Sequence, residues 1–227
     1  MLNTSSKYIL EIACFNIESC VLAQKAGADR IELCANYSLG GITPAQNDIL
    51  AARKILQIPL HIIIRPRGGN FVYSVKEMET MKSDILFCKK HGIDGVVFGI
   101  LNSNNSININ ANKELIDFAK PMSVTFHRAI DECANVDNSI SDLIELGFNR
   151  VLTSGGKQNV LDGVELIALL NKKHKASITI LVGGSVRSNS LNQLLQKTDC
   201  HEYHSSAIES KKINEKEIRK LKSILHV

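Results

Sequence analysis

Acid–base chemistry needs groups that exchange protons near neutrality, and cations that hold an anion while they do so. In this chain such residues fall at or near the ends of short apolar runs. Glu11 lies in Ile9-Leu10-Glu11-Ile12-Ala13, and Glu32 and Cys34 close Arg30-Ile31-Glu32-Leu33-Cys34. Arg65 ends Leu60-His61-Ile62-Ile63-Ile64-Arg65, and Arg67 follows Pro66, ahead of Gly68-Gly69. His127 and Arg128 end the run from Met122, with Asp131 close behind. Ser154-Gly155-Gly156 follows Arg150-Val151-Leu152-Thr153, Gly183-Gly184-Ser185 follows Ile178 to Val182, and His204-Ser205 ends Glu202-Tyr203-His204-Ser205. If these ends meet, Glu11 or Glu32 is placed to act as base and His127 as acid, with Asp131 beside them. Arg65, Arg67 and Arg128 then form a clamp for an anion, joined by His204 and Ser205. The glycine pairs Gly155-Gly156 and Gly183-Gly184, with Ser154, present backbone N–H groups that no Cβ obstructs. Ser188 is expected to cap the helix that follows. A phosphate-like group fits such loops.

Charges gathered in one lumen are costly to desolvate unless they pair. Arg65 between the two carboxylates would satisfy that need. The competing reading is an ion-pair layer that fills the lumen and does no chemistry. Other chemistries are less well supplied. No lysine falls at a strand end, which argues against a Schiff-base mechanism. Glu11, Glu32, His127 and His204 make an oxygen/nitrogen set for a hard divalent ion, but Arg65 and Arg67 beside them would repel it. Ser205, His127 and Asp131 contain the members of a triad, yet no nucleophile elbow accompanies them.

The residues need elements to position them. Eight short β-branched or apolar runs alternate with stretches whose apolar residues recur at helical spacing, among them Met78, Met81, Ile85 and Cys88. Alternating strands and helices imply parallel pairing. Eight such units in 227 residues predict a single (β/α)8 barrel of TIM type over residues 1–227, with its working groups at the C-terminal ends of the strands. An open doubly wound sheet is the alternative, but no Gly-x-Gly-x-x-Gly follows the first run. With Glu11 facing the lumen, alternation turns Ala13 inward and Ile12 and Cys14 outward, and it puts Glu32 and Cys34 together inside. The last helix is expected over Ile213 to Leu225, and Asn102 to Asn112 reads as a solvated loop.

Composition sets the outer limits. The net charge of +4, without a dense Lys/Arg stripe, gives no footprint for nucleic acid. No apolar run approaches the ~20 residues of a membrane span, and the polar start from Met1 to Lys7 does not read as a secretory signal. The 6 cysteines show no short-spaced framework and read as reduced thiols.

Several of these blocks together resemble one family. Gly27-Ala28-Asp29-Arg30-Ile31-Glu32-Leu33-Cys34, Gly40-Gly41-Ile42-Thr43-Pro44, Ile64-Arg65-Pro66-Arg67-Gly68-Gly69, Val124-Thr125-Phe126-His127-Arg128-Ala129, Arg150 to Gly155 and His204-Ser205-Ser206-Ala207 are similar to the copper homeostasis protein CutC family, from about Leu10 to Ala207. The resemblance implies a cytoplasmic barrel, assembled as a homodimer or homotetramer, with a role in copper handling. Members proposed to bind Cu(I) carry a cysteine two residues after the strand-one glutamate. Here that residue is Ala13, while Cys34 is kept. The resemblance thus implies Cys34 as the metal ligand, with its partner thiol missing unless Cys14 turns inward. Many members also have a longer segment after the His-Ser-Ser-Ala block, where Glu209 to Lys212 here leads almost directly to the last helix. Three expectations stand together: a copper-handling protein, an enzyme or binder of a small anionic metabolite, and a scaffold with a structural polar lumen.

Overall fold

The computed structural model describes residues 7–226. The reading of the polar start falls almost entirely on residues 1–6, outside the described ones. Eight parallel strands, β1 (Ile9–Cys14), β2 (Arg30–Leu33), β3 (Leu60–Ile63), β4 (Gly95–Phe98), β5 (Ser123–Phe126), β6 (Arg150–Thr153), β7 (Thr179–Val182) and β8 (Glu202–Ser205), pair in sequence order. β8 returns to pair with β1, so the sheet closes on itself. The helices α1 (Ile17–Lys25), α2 (Gln46–Ile55), α3 (Val75–Lys90), α4 (Ile109–Ala119), α5 (Val136–Leu146), α6 (Val164–His174), α7 (Ser188–Thr198) and α8 (Glu215–Leu225) follow the strands in turn. This is the (β/α)8 barrel the alternation predicts.

The strands divide their side chains between two environments. Leu10, Ile12, Cys14, Ile31, Leu33, Leu60, Ile62, Val96, Phe98, Val124, Phe126, Val151, Ile180, Val182 and Tyr203 pack in the continuous core with the helices. The alternate positions line the lumen, and several are charged. The strongest helix stop-start signal is at α3, where Ser74 and Glu77 form a reciprocal capping box. All 6 cysteines are free and buried. No helix of the described residues is long and apolar enough to cross a membrane.

Three local expectations need correction. Ile213 belongs to a small hairpin, β9 (Ile208–Glu209) with β10 (Lys212–Ile213), and α8 starts only at Glu215 behind the Asn214 cap. The asparagine-rich segment is a loop only as far as Asn108, which caps α4. Asn112 is buried, and its amide bonds the backbone of Ile100 from both ends. Composition cannot distinguish a solvated asparagine from one satisfied by backbone groups. At α7 the cap position is Arg187, and Ser188 is the first helical residue.

Candidate functional site

Below the mouth the lumen is filled by an ion-pair layer. Arg30 Nε donates to Glu11 Oε2 at 2.5 Å and its Nη2 to Glu202 Oε2 at 2.5 Å. Arg150 Nε reaches the same Glu202 oxygen at 3.1 Å, and its Nη1 donates to Ser123 Oγ at 2.6 Å. Two carboxylates and two guanidiniums neutralise one another there, as buried charges must. Glu11 therefore belongs to this layer. The arginine between the carboxylates is Arg30, not Arg65. Arg30, Arg150 and Glu202 escaped notice because each is the first residue of its strand, and attention fell on the strand ends. The period-two series Arg30/Glu32/Cys34 and Glu202/His204/Ser206 held the signal.

His204 connects this layer to the mouth. Its Nδ1 lies 2.7 Å from Glu11 Oε1 and its Nε2 lies 3.7 Å from Glu32 Oε2. Burial works against the charge of Glu11, but the Arg30 guanidinium and the His204 bond outweigh it and hold the carboxyl well below its usual range. Glu32 goes the other way. Burial pushes its pKa up to about 7, with His204 pulling down and Glu11 pushing up. Burial, with the Glu32 carboxylate beside it, raises the Cys34 thiol well above its ordinary range. Burial opposes the charge of His204, yet its bond to Glu11 and the charges of Glu32 and Glu11 raise its pKa. Two carboxylates in one lumen are thereby driven apart in acidity.

Above this layer opens a cavity of about 270 Å³, near the lower end of the roughly 300–1,000 Å³ usual for ligand pockets. Its wall includes Glu32, Cys34, Arg65, His127, Arg128, Gly184, Arg187, His204 and Ser205, with Ala13, Ile63, Phe71 and Leu152 as apolar surface. Glu32 is the one carboxylate, against three arginines. Arg128 is countered by Asp131 at 2.8 Å. Arg65 is buried, and its Nη atoms donate only to the carbonyls of Leu39, Gly41 and Gly69. Its Nε has no partner of hydrogen-bond geometry, and the polar group that sits against the guanidinium is the neutral Tyr73 hydroxyl. Arg187 likewise bonds the carbonyls of Val186 and Ile208 and the Ser205 hydroxyl. Among the described residues neither arginine meets a carboxylate.

His127 ends β5, where its backbone starts a 3-10 turn (Arg128–Glu132). Its Nδ1 accepts the N–H of Ala129 at 3.3 Å, so the ring proton sits on Nε2, which is buried without a partner. Burial, aided by the Arg65 charge, brings its pKa down to about 3. At neutral pH His127 is therefore a neutral N–H donor. Phe71 packs against both it and Arg65, 4.7 Å from the imidazole and 4.9 Å from the guanidinium carbon. Phe71 and Arg187 are among the wall residues that sequence reasoning missed, and neither ends a strand.

Other expected site residues are engaged elsewhere. Arg67 pairs with Glu77 at 2.6 Å and bonds Asn70 and Val72, outside the cavity wall. Asp131 is also off the wall, accepting from Arg128, Thr153 Oγ1, and the N–H groups of Ser154 and Gly156. The N–H groups of Gly155 and Gly183 go to Thr153. The loop of Ser154, Gly155 and Gly156 is thus an anion cup already filled by the chain's own carboxylate. The α7 N-terminus is filled in the same way, because Glu217 of α8 accepts from Ser188 N at 2.7 Å and Ser188 Oγ at 2.8 Å. Of the four glycines, Gly184 alone reaches the cavity wall.

The family model described as CutC family matches residues 8–209, nearly the whole chain. The chain belongs to the CutC family. A CutC protein from Bacteroides fragilis is 41% identical over 204 residues, covering 89% of this chain and 81% of that one. The human copper homeostasis protein cutC homolog is 40% identical over 200 residues, covering 88% and 73%. A solved CutC structure from Streptococcus agalactiae superposes with a TM-score of 0.84 at 32% identity, covering 88% of this chain and 98% of that one. Family and names bear out the copper-homeostasis label and leave the chemistry of the mouth to its geometry.

That geometry does not fit Cu(I) on a thiolate pair, which needs soft ligands. Ala13 faces the cavity where a CutC thiol pair would need its second sulfur, and Cys14 packs in the core against Cys20. Nor does the triad of Glu11, Glu32 and His204, whose ligand atoms lie within 4.8 Å of one another, fit a hard dication. Glu11 is held by Arg30 on one oxygen and His204 on the other.

Proposed function

We propose that this CutC-family barrel binds a small anionic metabolite at its mouth, with Glu32 as the group that exchanges protons there and His204 beside it. Arg65 carries the reading. It is a buried guanidinium with only neutral carbonyls and the Tyr73 hydroxyl around it, on the wall of a cavity that holds more cationic than anionic groups. A buried charge without a counter-charge is costly, and an anionic ligand supplies one. Arg187 and Arg128 extend the cationic wall, and Phe71 and Ile63 keep it apolar between the charges. The human relative's name carries a second reading, Cu(I) handling, which in this chain would rest on Cys34. Cytoplasmic location and self-assembly are proposed from the family resemblance.

Thermal unfolding with inorganic phosphate tests the first reading. At about a hundred times Kd, binding adds about 2.7 kcal/mol, which for a chain of this size raises Tm by roughly 5–10 °C. The rise should vanish in Arg65→Ala, and in Arg187→Met should the first variant fold poorly. Absence of any rise in the wild type removes the anion reading. Dialysis against buffered Cu(I) decides the second: stoichiometric binding lost in Cys34→Ala supports it, and no binding rejects it.

A further inference from the structure

Two N–H donors that the fold leaves buried and unpartnered, on His127 and Arg65, belong to one cavity wall that also holds a carboxylate. An N–H buried without a partner is costly to leave so, and on a cavity wall a ligand oxygen would satisfy it. The His127 donor is fixed as a neutral one by geometry. Ala129 N–H occupies Nδ1, and Gly99 leaves the space the ring fills: a Cβ there would stand 2.8 Å from Nδ1. Phe71 packs against both donor groups, 4.7 Å from the imidazole and 4.9 Å from the guanidinium carbon. Glu32 comes from β2, three strands round the barrel from His127 at the end of β5, and its carboxylate has no guanidinium bonded to it. The wall thus offers a base on one side and preorganised donors for a developing oxyanion on another.

We infer that the mouth catalyses proton transfer at the carbon beside a carbonyl, on a short α-hydroxycarbonyl compound that carries an anionic group. This deepens the anion-binding reading above and rests on it. Glu32 removes the proton from the hydroxyl-bearing carbon. The C–H electron pair becomes the C=C bond of an enediolate, and the carbonyl π pair moves onto its oxygen, held by His127 Nε2–H and the Arg65 guanidinium. His127 gives its Nε2 proton to that oxygen and takes one back from the neighbouring hydroxyl. Glu32 returns its proton to the former carbonyl carbon. The carbonyl and hydroxyl have exchanged places, every atom and electron is accounted for, and no oxidant or reductant is needed. His204, bonded to Glu11, positions the Glu32 carboxylate from behind.

An enediolate is planar, so the wall should prefer a planar mimic to a ground-state analogue of similar size. The probes are phosphoglycolohydroxamate and glycerol 3-phosphate, whose tetrahedral carbon replaces the planar centre, measured by isothermal titration against the full chain. The expected result is hydroxamate binding at least tenfold tighter in the wild type. His127→Phe should lose that preference, while a cooperative thermal transition reports that the variant is folded. Should it not fold, Arg65→Lys takes its place, with the same loss expected. Equal or weaker hydroxamate binding in the wild type overturns the inference. If inorganic phosphate still raises Tm in an Arg65-dependent way, the anion reading survives that result. If phosphate has no effect either, both fall.

Discussion

His127 carries a prediction that depends on its protonation alone. Its pKa in the folded chain is about 3, against an ordinary 6.5, chiefly because burial disfavours the imidazolium. The unfolded chain takes up a proton below 6.5 and the folded one does not. The contribution to stability is therefore full above that pH and is lost as pH falls toward 3, at about 1.4 kcal/mol per pH unit. Glu32 has the opposite sign: its raised value of about 7 gives stability that is lost as pH rises through the window from its ordinary value. His127→Phe keeps Glu32, so the comparison isolates the histidine. Between pH 7 and pH 5 the wild type should lose on the order of 2 kcal/mol more than the variant, read by urea unfolding at each pH. Equal losses would show that His127 is charged in the fold.

Strand β4 illustrates how an element makes room for a site on its neighbours. Two of its positions are glycine because histidines occupy the lumen beside them. A Cβ at Gly95 would stand 2.5 Å from His61 Nε2, and one at Gly99, just beyond the strand, 2.8 Å from His127 Nδ1 and 2.9 Å from the Phe126 ring. Overpacking of this kind costs about 1–3 kcal/mol. Gly99→Ala should lower Tm by roughly 3–10 °C and weaken ligand binding by displacing His127, as calorimetry and titration of the same preparation would show. The loops after β5 and β6 show the converse, an element closing a site. Asp131 fills the N–H cup of Ser154 and Gly156, so that cup is not left to the mouth.

For the molecule as a whole the decisive contact is the seam where the last strand meets the first. Arg30 on β2 bonds Glu11 on β1 and Glu202 on β8, so one guanidinium spans the closure. Removing it leaves two buried carboxylates partly uncompensated, which typically costs about 3–5 kcal/mol. Arg30→Met should lose that much in urea unfolding, whereas an exposed ion pair such as Lys120–Asp117 should be replaceable for about 0–1 kcal/mol. A loss no larger than that exposed value would mean the seam is held by its backbone ladder alone. In the middle of that layer Glu11 is a structural anion, and through His204 it also sets the charge balance of Glu32.

The barrel was legible in the chain because strand alternation and helical spacing are local properties, repeated eight times in register with the observed strands. The inward set of Ala13, Glu32 and Cys34 followed from period two by the same logic. The sequence also named most of the polar wall, since Glu32, Arg65, His127, Arg128 and His204 all fall at or just beyond strand ends. Which of them pair was not there to read. Arg65 and Arg30 are both arginines at strand boundaries, yet Arg30 lies deep among carboxylates while Arg65 lies among loop carbonyls at the rim. Partner choice depends on lumen depth, and depth is set by the stagger between strands when the sheet closes. Only the closed barrel fixes that stagger, and with it which charge is cancelled and which is left for a ligand.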